Sequence, residues 1–431
     1  MSPTHASPPA TRIISCKTSA DLLAALPQLT GFTADDSIFV LLFDGKRTSG
    51  CFRLDLPVSE DDEDTEGLPD AICDVLEDLG DLHGTTSAPA VVITCSQTFE
   101  RAGGAPWSRL AERIERRLRE RGPGVRDLCC LAADGWVSYL DPSAPSRGRP
   151  LGEISENPIS LDAGVNGRLV PDLASLGRIP RPDPARLAAV AAALEALPAF
   201  PLPGPEPVPP PRSGSAKPAI DTGATFTQTA AVARSLMRVD GALSPRMTAR
   251  LIRSAASPDR WLQMALAVLT RPDFPGELAR DLGPERFIGV PVDIDGPSTA
   301  AGATGPRRTG WSIRRILFLL CPDFTDRERL PDIRDRLLTA ISETPTELRP
   351  PLLAFSAWVW WLAGSQTVAG RQVREARDID PEDALTAMVA RLIRTPCFYR
   401  PSGELSVGAL AGPDRAEARN APFTRPNAEA A

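Results

Sequence analysis

With 431 residues, 42% of them hydrophobic and 24% charged, the chain has the balance of an ordinary globular protein, which argues against bulk disorder. Its length exceeds what one core usually organises, so two packed units are expected. A formal net charge of −7 disfavours broad adsorption to nucleic acid or an anionic membrane, and eight cysteines without a CxxC spacing argue against a zinc site or a disulfide framework.

Residues 1–11 are polar, rich in Pro and Ala, and lack the apolar stretch of a signal peptide, so they read as a disordered start to a cytoplasmic protein. Thr18-Ser19-Ala20-Asp21 has the pattern of a capping box and predicts a helix through Leu22, Leu23, Leu26 and Leu29 that Gly31 stops. The apolar run 38–43 reads as a buried strand, and Asp44-Gly45 turns it into a second strand over 51–56, a candidate hairpin. Between Ser59 and Glu66 the carboxylates Glu60, Asp61, Asp62, Glu63, Asp64 and Glu66 crowd together and read as a solvated loop, because like charges repel. Leu68, Ile72, Val75, Leu76 and Leu79 recur at helical spacing, 90–95 is the next strand, and Trp107, Leu110, Ile114 and Leu118 stripe a strongly charged helix. Two more strands, 128–132 and 136–140, flank Asp134-Gly135. This alternation predicts an α+β or α/β layered N-terminal domain over residues 12–197, with an Ala/Leu-rich helix at 183–197 as its last element.

From 198 to 218 the chain carries nine prolines, and residues 198–223 read as a semi-rigid linker. Helical periodicity then dominates an all-α domain over 224–397: a segment opened by Ser244-Pro245, a stripe of Trp261, Leu262, Ala265, Leu266 and Leu269, and helices over 311–320, 327–341, 350–363, 367–377 and 381–394. Residues 289–310 read as a long loop and 398–431 as a disordered tail. The most apolar stretch, 352–364, is too short for a membrane span and reads as a buried helix.

Chemistry is sparsely signalled. The only histidines are His5, in the polar start, and His83, in a loop before a strand. No Gly-x-Ser-x-Gly elbow, P-loop or Gly-x-Gly-x-x-Gly fingerprint is present, and Asp293-x-Asp295-Gly296 is only a fragment of a calcium loop. No metal and no cofactor is expected. The group worth keeping is Asp35, Asp36, Ser37, Arg53 and Asp55, with His83: an Arg beside carboxylates in a predicted sheet is either a structural ion pair or a recognition site.

The run Thr18-Ser19-Ala20-Asp21-Leu22-Leu23-Ala24-Ala25-Leu26-Pro27 continues through Leu29-Thr30-Gly31-Phe32 and Asp35-Asp36-Ser37 to Arg53-Leu54-Asp55-Leu56-Pro57. It resembles the actinobacterial proteins that share domain of unknown function 4192, and the likeness returns over 358–381. The resemblance implies an actinobacterial origin and a two-part organisation, without implying a reaction. Ala357, Gly364, Ala369, Ala376 and Pro381 also fall at the spacings of one tetratricopeptide-like helix pair, whose small residues let two helices approach closely. Trp358, Trp360 and Trp361 on that pair are either a partner-binding platform or core. The leading expectation is a noncatalytic interaction or scaffold protein with a protein partner. The alternative is an enzyme or small-ligand binder with a pocket in the α/β half, and nucleic-acid binding comes third.

Overall fold

The computed structural model describes residues 14–61, 64–83, 87–122, 124–197, 222–238, 241–282 and 329–394. The start at 1–11 with His5, the proline-rich stretch 198–218, the loop 289–310 with Asp293 and Asp295, the helix expected over 311–320 and the tail 398–431 lie outside the described residues. The chain divides into two compact units, Met1–Leu176 and Gly177–Ala431.

In the N-terminal unit the capping box forms: Thr18 Oγ1 accepts from the Asp21 amide at 3.1 Å, and Asp21 Oδ2 accepts from the amides of Lys17 and Thr18 at 2.8 and 3.1 Å. Helix α1, Ser19–Thr30, follows and ends on Gly31, whose φ of 81° suits glycine. Strands β1 (Ser37–Asp44) and β2 (Arg47–Asp55) form the expected antiparallel hairpin. Helix α2 (Asp64–His83) leads to β3 (Ala90–Thr94), which pairs antiparallel with β1. After α3 (Phe99–Ala102) and α4 (Ser108–Arg121), β4 (Asp127–Leu131) lies parallel to β3, and β5 (Trp136–Ser138) runs antiparallel to β4.

The sheet order is β2-β1-β3-β4-β5. Its one parallel step needs a crossover, which α4 supplies. All of β3 is buried, as its unbroken apolar run requires of a strand covered on both faces. Strand alternation assigns the covers. Ser19 of α1 donates to Asp127 Oδ2 at 2.7 Å, so α1 lies on the face of Asp127 and Cys129, whereas Tyr139, which bonds Pro106 ahead of α4, meets Cys130 on the other. Helices α5 (Gly152–Ser155) and α6 (Pro158–Val165) return to α1, where Asn157 Nδ2 donates to Asp21 Oδ1 at 2.9 Å.

The acidic stretch departs from a fully solvated loop. Glu60 is only 17% exposed at its side chain because Oε1 accepts from the Leu110 amide at 3.0 Å and Oε2 from Arg109 Nε at 3.2 Å. It thereby caps α4, whose own preceding residue, Trp107, offers no side-chain acceptor. Asp61, also bridged to Arg109, stays exposed, and Asp62 and Glu63 lie outside the described residues.

Among the described residues, every regular element of the C-terminal unit is helical: α7 (Pro184–Ala196), α8 (Thr222–Leu236), α9 (Pro245–Ala255), α10 (Pro258–Leu269), α11 (Phe274–Leu282), α12 (Leu330–Ser342), α13 (Pro350–Leu362), α14 (Gln366–Ile379) and α15 (Ala384–Leu392). Helix α7, expected to close the N-terminal domain, belongs here instead. Arg186 of α7 grips Glu343 with Nε at 2.7 Å and Nη2 at 2.8 Å, and Arg253 of α9 donates to the Leu194 and Leu197 carbonyls at 2.7 and 3.0 Å.

Helix α13 is buried from Leu352 to Leu362, and Trp261 of α10 stacks on it with ring centroids 5.6 Å from both Phe355 and Trp358. Ala357, Ala369 and Ala376 are each fully buried between packed helices, and Gly364, at φ 82°, turns α13 into α14. Gly177, at φ 66°, lies so close to α14 that a Cβ there would come within 2.3 Å of Val368. No described helix is long and apolar enough to cross a membrane.

Candidate functional site

Pairing register brings most of the sequence candidates to one end of the N-terminal sheet. Ser37 faces Asp55 across the β1–β2 pair and Thr94 across the β1–β3 pair, so the amino end of β1 meets the carboxyl ends of β2 and β3. Arg53, only 12% exposed at its side chain, donates from Nε to Ser37 Oγ at 2.8 Å and from Nη2 to the exposed Asp55 at 2.6 Å. Ser37 Oγ in turn donates a hydrogen bond to the Asp35 carbonyl at 2.7 Å, so Asp35 joins through its backbone.

Asp36 holds a left-handed φ of 45°. Its Oδ1 accepts from the Ser96 amide at 2.9 Å and from the Ser96 hydroxyl at 3.0 Å. Its carbonyl takes the Leu56 amide at 2.9 Å, which ties β2 to the same corner. Below it Thr94 Oγ1, buried, donates to the Ala34 carbonyl at 2.8 Å.

The other candidates lie apart from this corner. His83 does not join the cluster: it is the last residue of α2, from which the chain enters β3 at its amino end, whereas the cluster sits at the carboxyl end. Trp358, Trp360 and Trp361 are 0, 3 and 1% exposed, so they are core and not a surface platform, as an all-round apolar helix dictates.

Other residues at the site carry no motif. Cys95 follows β3, two residues beyond Ile93, which pairs with Cys130 on β4, so the two cysteines share a sheet face. The Cys130 thiol hydrogen-bonds Cys95 and, with the Gln97 backbone, holds it below the ordinary thiol range against the opposing effect of burial. Cys130 is itself pushed up by that partner and by burial, as is Cys129 by burial, and burial pushes Cys51 up to about 12. Asp134, beyond β4, accepts from the Phe99 amide at 2.9 Å and fixes the turn that follows Cys95.

Among the buried cysteines, Cys95 is therefore expected to react fastest with iodoacetamide at about pH 8, and Cys130→Ala to slow it severalfold by removing the donor. Peptide mass spectrometry reads the order of labelling, and a Cys95 no faster than Cys129 would contradict it.

Arg109, Arg117, Arg119 and Arg121 of α4 are engaged with carboxylates. Arg117 meets Asp70 at 2.6 Å, and Arg121 meets Asp74 and Glu77 at 2.9 and 2.8 Å, so this face is a mixed ion network on α2 and α4. Among the described residues no group of three or more His, Cys, Asp or Glu side chains could hold a metal ion.

These elements define a protein with a mixed-sheet α/β unit, carrying a polar cluster at one sheet end, ahead of a helical unit. A family profile described as Domain of unknown function (DUF4192) matches residues 20–272, more than half of the chain, and the chain belongs to that family. The match runs from α1 through α10. No curated protein and no solved structure matches.

Proposed function

We propose that the N-terminal unit binds a small polar ligand at the carboxyl end of β3, in the corner formed by Asp36, Ser96, Ser37, Arg53 and Asp55. The observation that carries this reading is Asp36. A non-glycine residue in the left-handed region costs on the order of 1 to 2 kcal/mol, a cost that glycine would avoid, and it is borne here by an exposed carboxylate aimed at Ser96. The place supports it as well: ligands of open α/β sheets favour the crevice beyond the carboxyl ends of parallel strands, and β3 and β4 are the parallel pair. Exposed Asp35, Asp36 and Asp55 suit a ligand rich in hydroxyl or amine donors.

Asparagine tolerates this backbone conformation, so Asp36→Asn should keep the unliganded unfolding temperature and lose the ligand's effect. In thermal-shift screening with sugars, polyols and nucleosides, a compound is expected to stabilise the parent chain and not Asp36→Asn. A panel that shifts neither, or shifts both equally, would remove the proposal.

A second reading, a protein-interaction role for the C-terminal unit, is favoured by the buried small residues Ala357, Ala369 and Ala376, which fit a tetratricopeptide-like helix pair. The free thiols Cys16, Cys51, Cys73, Cys95, Cys129 and Cys130 suit a reducing, cytoplasmic compartment.

A further inference from the structure

The C-terminal unit contains a cavity of about 200 Å³ lined by Gly241, Ala242 and Leu243 of the α8–α9 connection, Thr248 of α9, and Asp335, Arg336, Thr339, Ala340 and Glu343 along α12. The last five recur at intervals of three and four, so one face of α12 forms a wall. Deep in the site is Glu343, 6% exposed at its side chain, at the carboxyl end of α12, where the helix's own carbonyls make a negative charge unfavourable. Three donors compensate: Arg186 Nε at 2.7 Å, Arg186 Nη2 at 2.8 Å and Thr248 Oγ1 at 3.4 Å. A carboxylate offers about four acceptor positions, so one is left for an occupant.

Arg336 is fixed by donating from Nη1 to the Leu236 carbonyl at 2.6 Å and keeps other N–H groups for an anionic acceptor. Asp335, its neighbour, is exposed and negative. The same small space is thus lined by a cation, Arg336, and by the Glu343 carboxylate, with Leu243, Ala242 and Ala340 as apolar wall. Its volume is below the roughly 300 Å³ at which drug-sized pockets begin. A compact molecule carrying both charges fits this chemistry better than one carrying either alone.

We propose that this cavity binds a small aliphatic α-amino acid, its carboxylate on Arg336, its ammonium on Glu343, and its side chain against Leu243 and Ala340. The proposal is independent of the ligand site on the N-terminal unit, because Asp36→Asn should leave it untouched.

Isothermal titration of the full chain with valine or alanine is expected to give saturable binding. Isovalerate and isobutylamine, which are valine without its ammonium and without its carboxylate, should bind at least about tenfold more weakly, the loss of roughly one charged contact. Arg336→Gln should weaken valine by a similar factor. Thr339→Phe, which narrows the space without altering a charge, should abolish binding while the helical circular dichroism is unchanged. No heat with any amino acid, equal affinity for isobutylamine and valine, or binding that survives Arg336→Gln would each overturn the assignment.

Discussion

Trp358→Ala is expected to destabilise the helical unit by about 3 to 5 kcal/mol, the range for emptying a fully buried large aromatic site. The indole is 0% exposed and packs against Trp261 and Phe355 at centroid distances of 5.6 Å, so neighbours on two helices would lose contacts together. Urea unfolding followed by circular dichroism reads the effect, and against a typical total of about 5 to 15 kcal/mol it should move the midpoint far. Trp358→Phe sharpens the test. The Trp358 Nε1 proton has no hydrogen-bond partner, so phenylalanine removes an unpaired buried donor as well as some volume, and the two changes oppose each other. The conservative variant should stay within about 1 kcal/mol of the parent. A partner-binding surface tryptophan would behave otherwise, with alanine leaving stability within roughly 0.5 kcal/mol. That outcome would restore the platform reading and discard the core assignment.

What was legible in the sequence is local. Thr18 and Asp21 lie three residues apart and satisfy each other, Asp44-Gly45 turns the hairpin, and the unbroken apolar run of β3 reads as a buried strand, because each signal needs only near neighbours. Arg53 and Ser37 could be grouped because a hairpin brings its two strands together in a known register. The bond from Ser96 to Asp36 spans 60 positions, and Glu60 reaches the α4 amide 50 positions away, and no periodicity encodes either. Helix α7 was misplaced for the same reason: an Ala/Leu stretch declares that it will pack, without declaring on what. Its partner is set by Arg186 and by a glutamate 157 positions on. His83 failed on boundary placement, since the apolar spacing of α2 ends at Leu79 while the helix continues to His83.

The pair that places α7 gives the other large effect. Arg186→Ala is expected to cost about 3 kcal/mol, toward the lower end for breaking a buried ion pair because Arg186 keeps 28% of its side chain exposed. The Glu343 carboxylate is the vulnerable partner. At 6% exposure it would be left with the Thr248 hydroxyl alone, and the adjacent helix end worsens its position. Removing Glu343 instead should cost less, because the guanidinium is half-buried, still donates from Nη2 to the Leu243 carbonyl at 2.6 Å, and can turn to water. The expected order is therefore Arg186→Ala above Glu343→Gln, with the double variant Arg186→Met, Glu343→Leu costing less than Arg186→Ala alone, since apolar residues of similar volume remove both desolvation costs. Urea titrations of this double variant and of Arg186→Met and Glu343→Leu singly give the coupling, and those of Arg186→Ala and Glu343→Gln give the order. An Arg186→Ala cost below about 1 kcal/mol, the range of exposed pairs, would mean that this bridge neither anchors α7 nor carries the desolvation cost argued for Glu343.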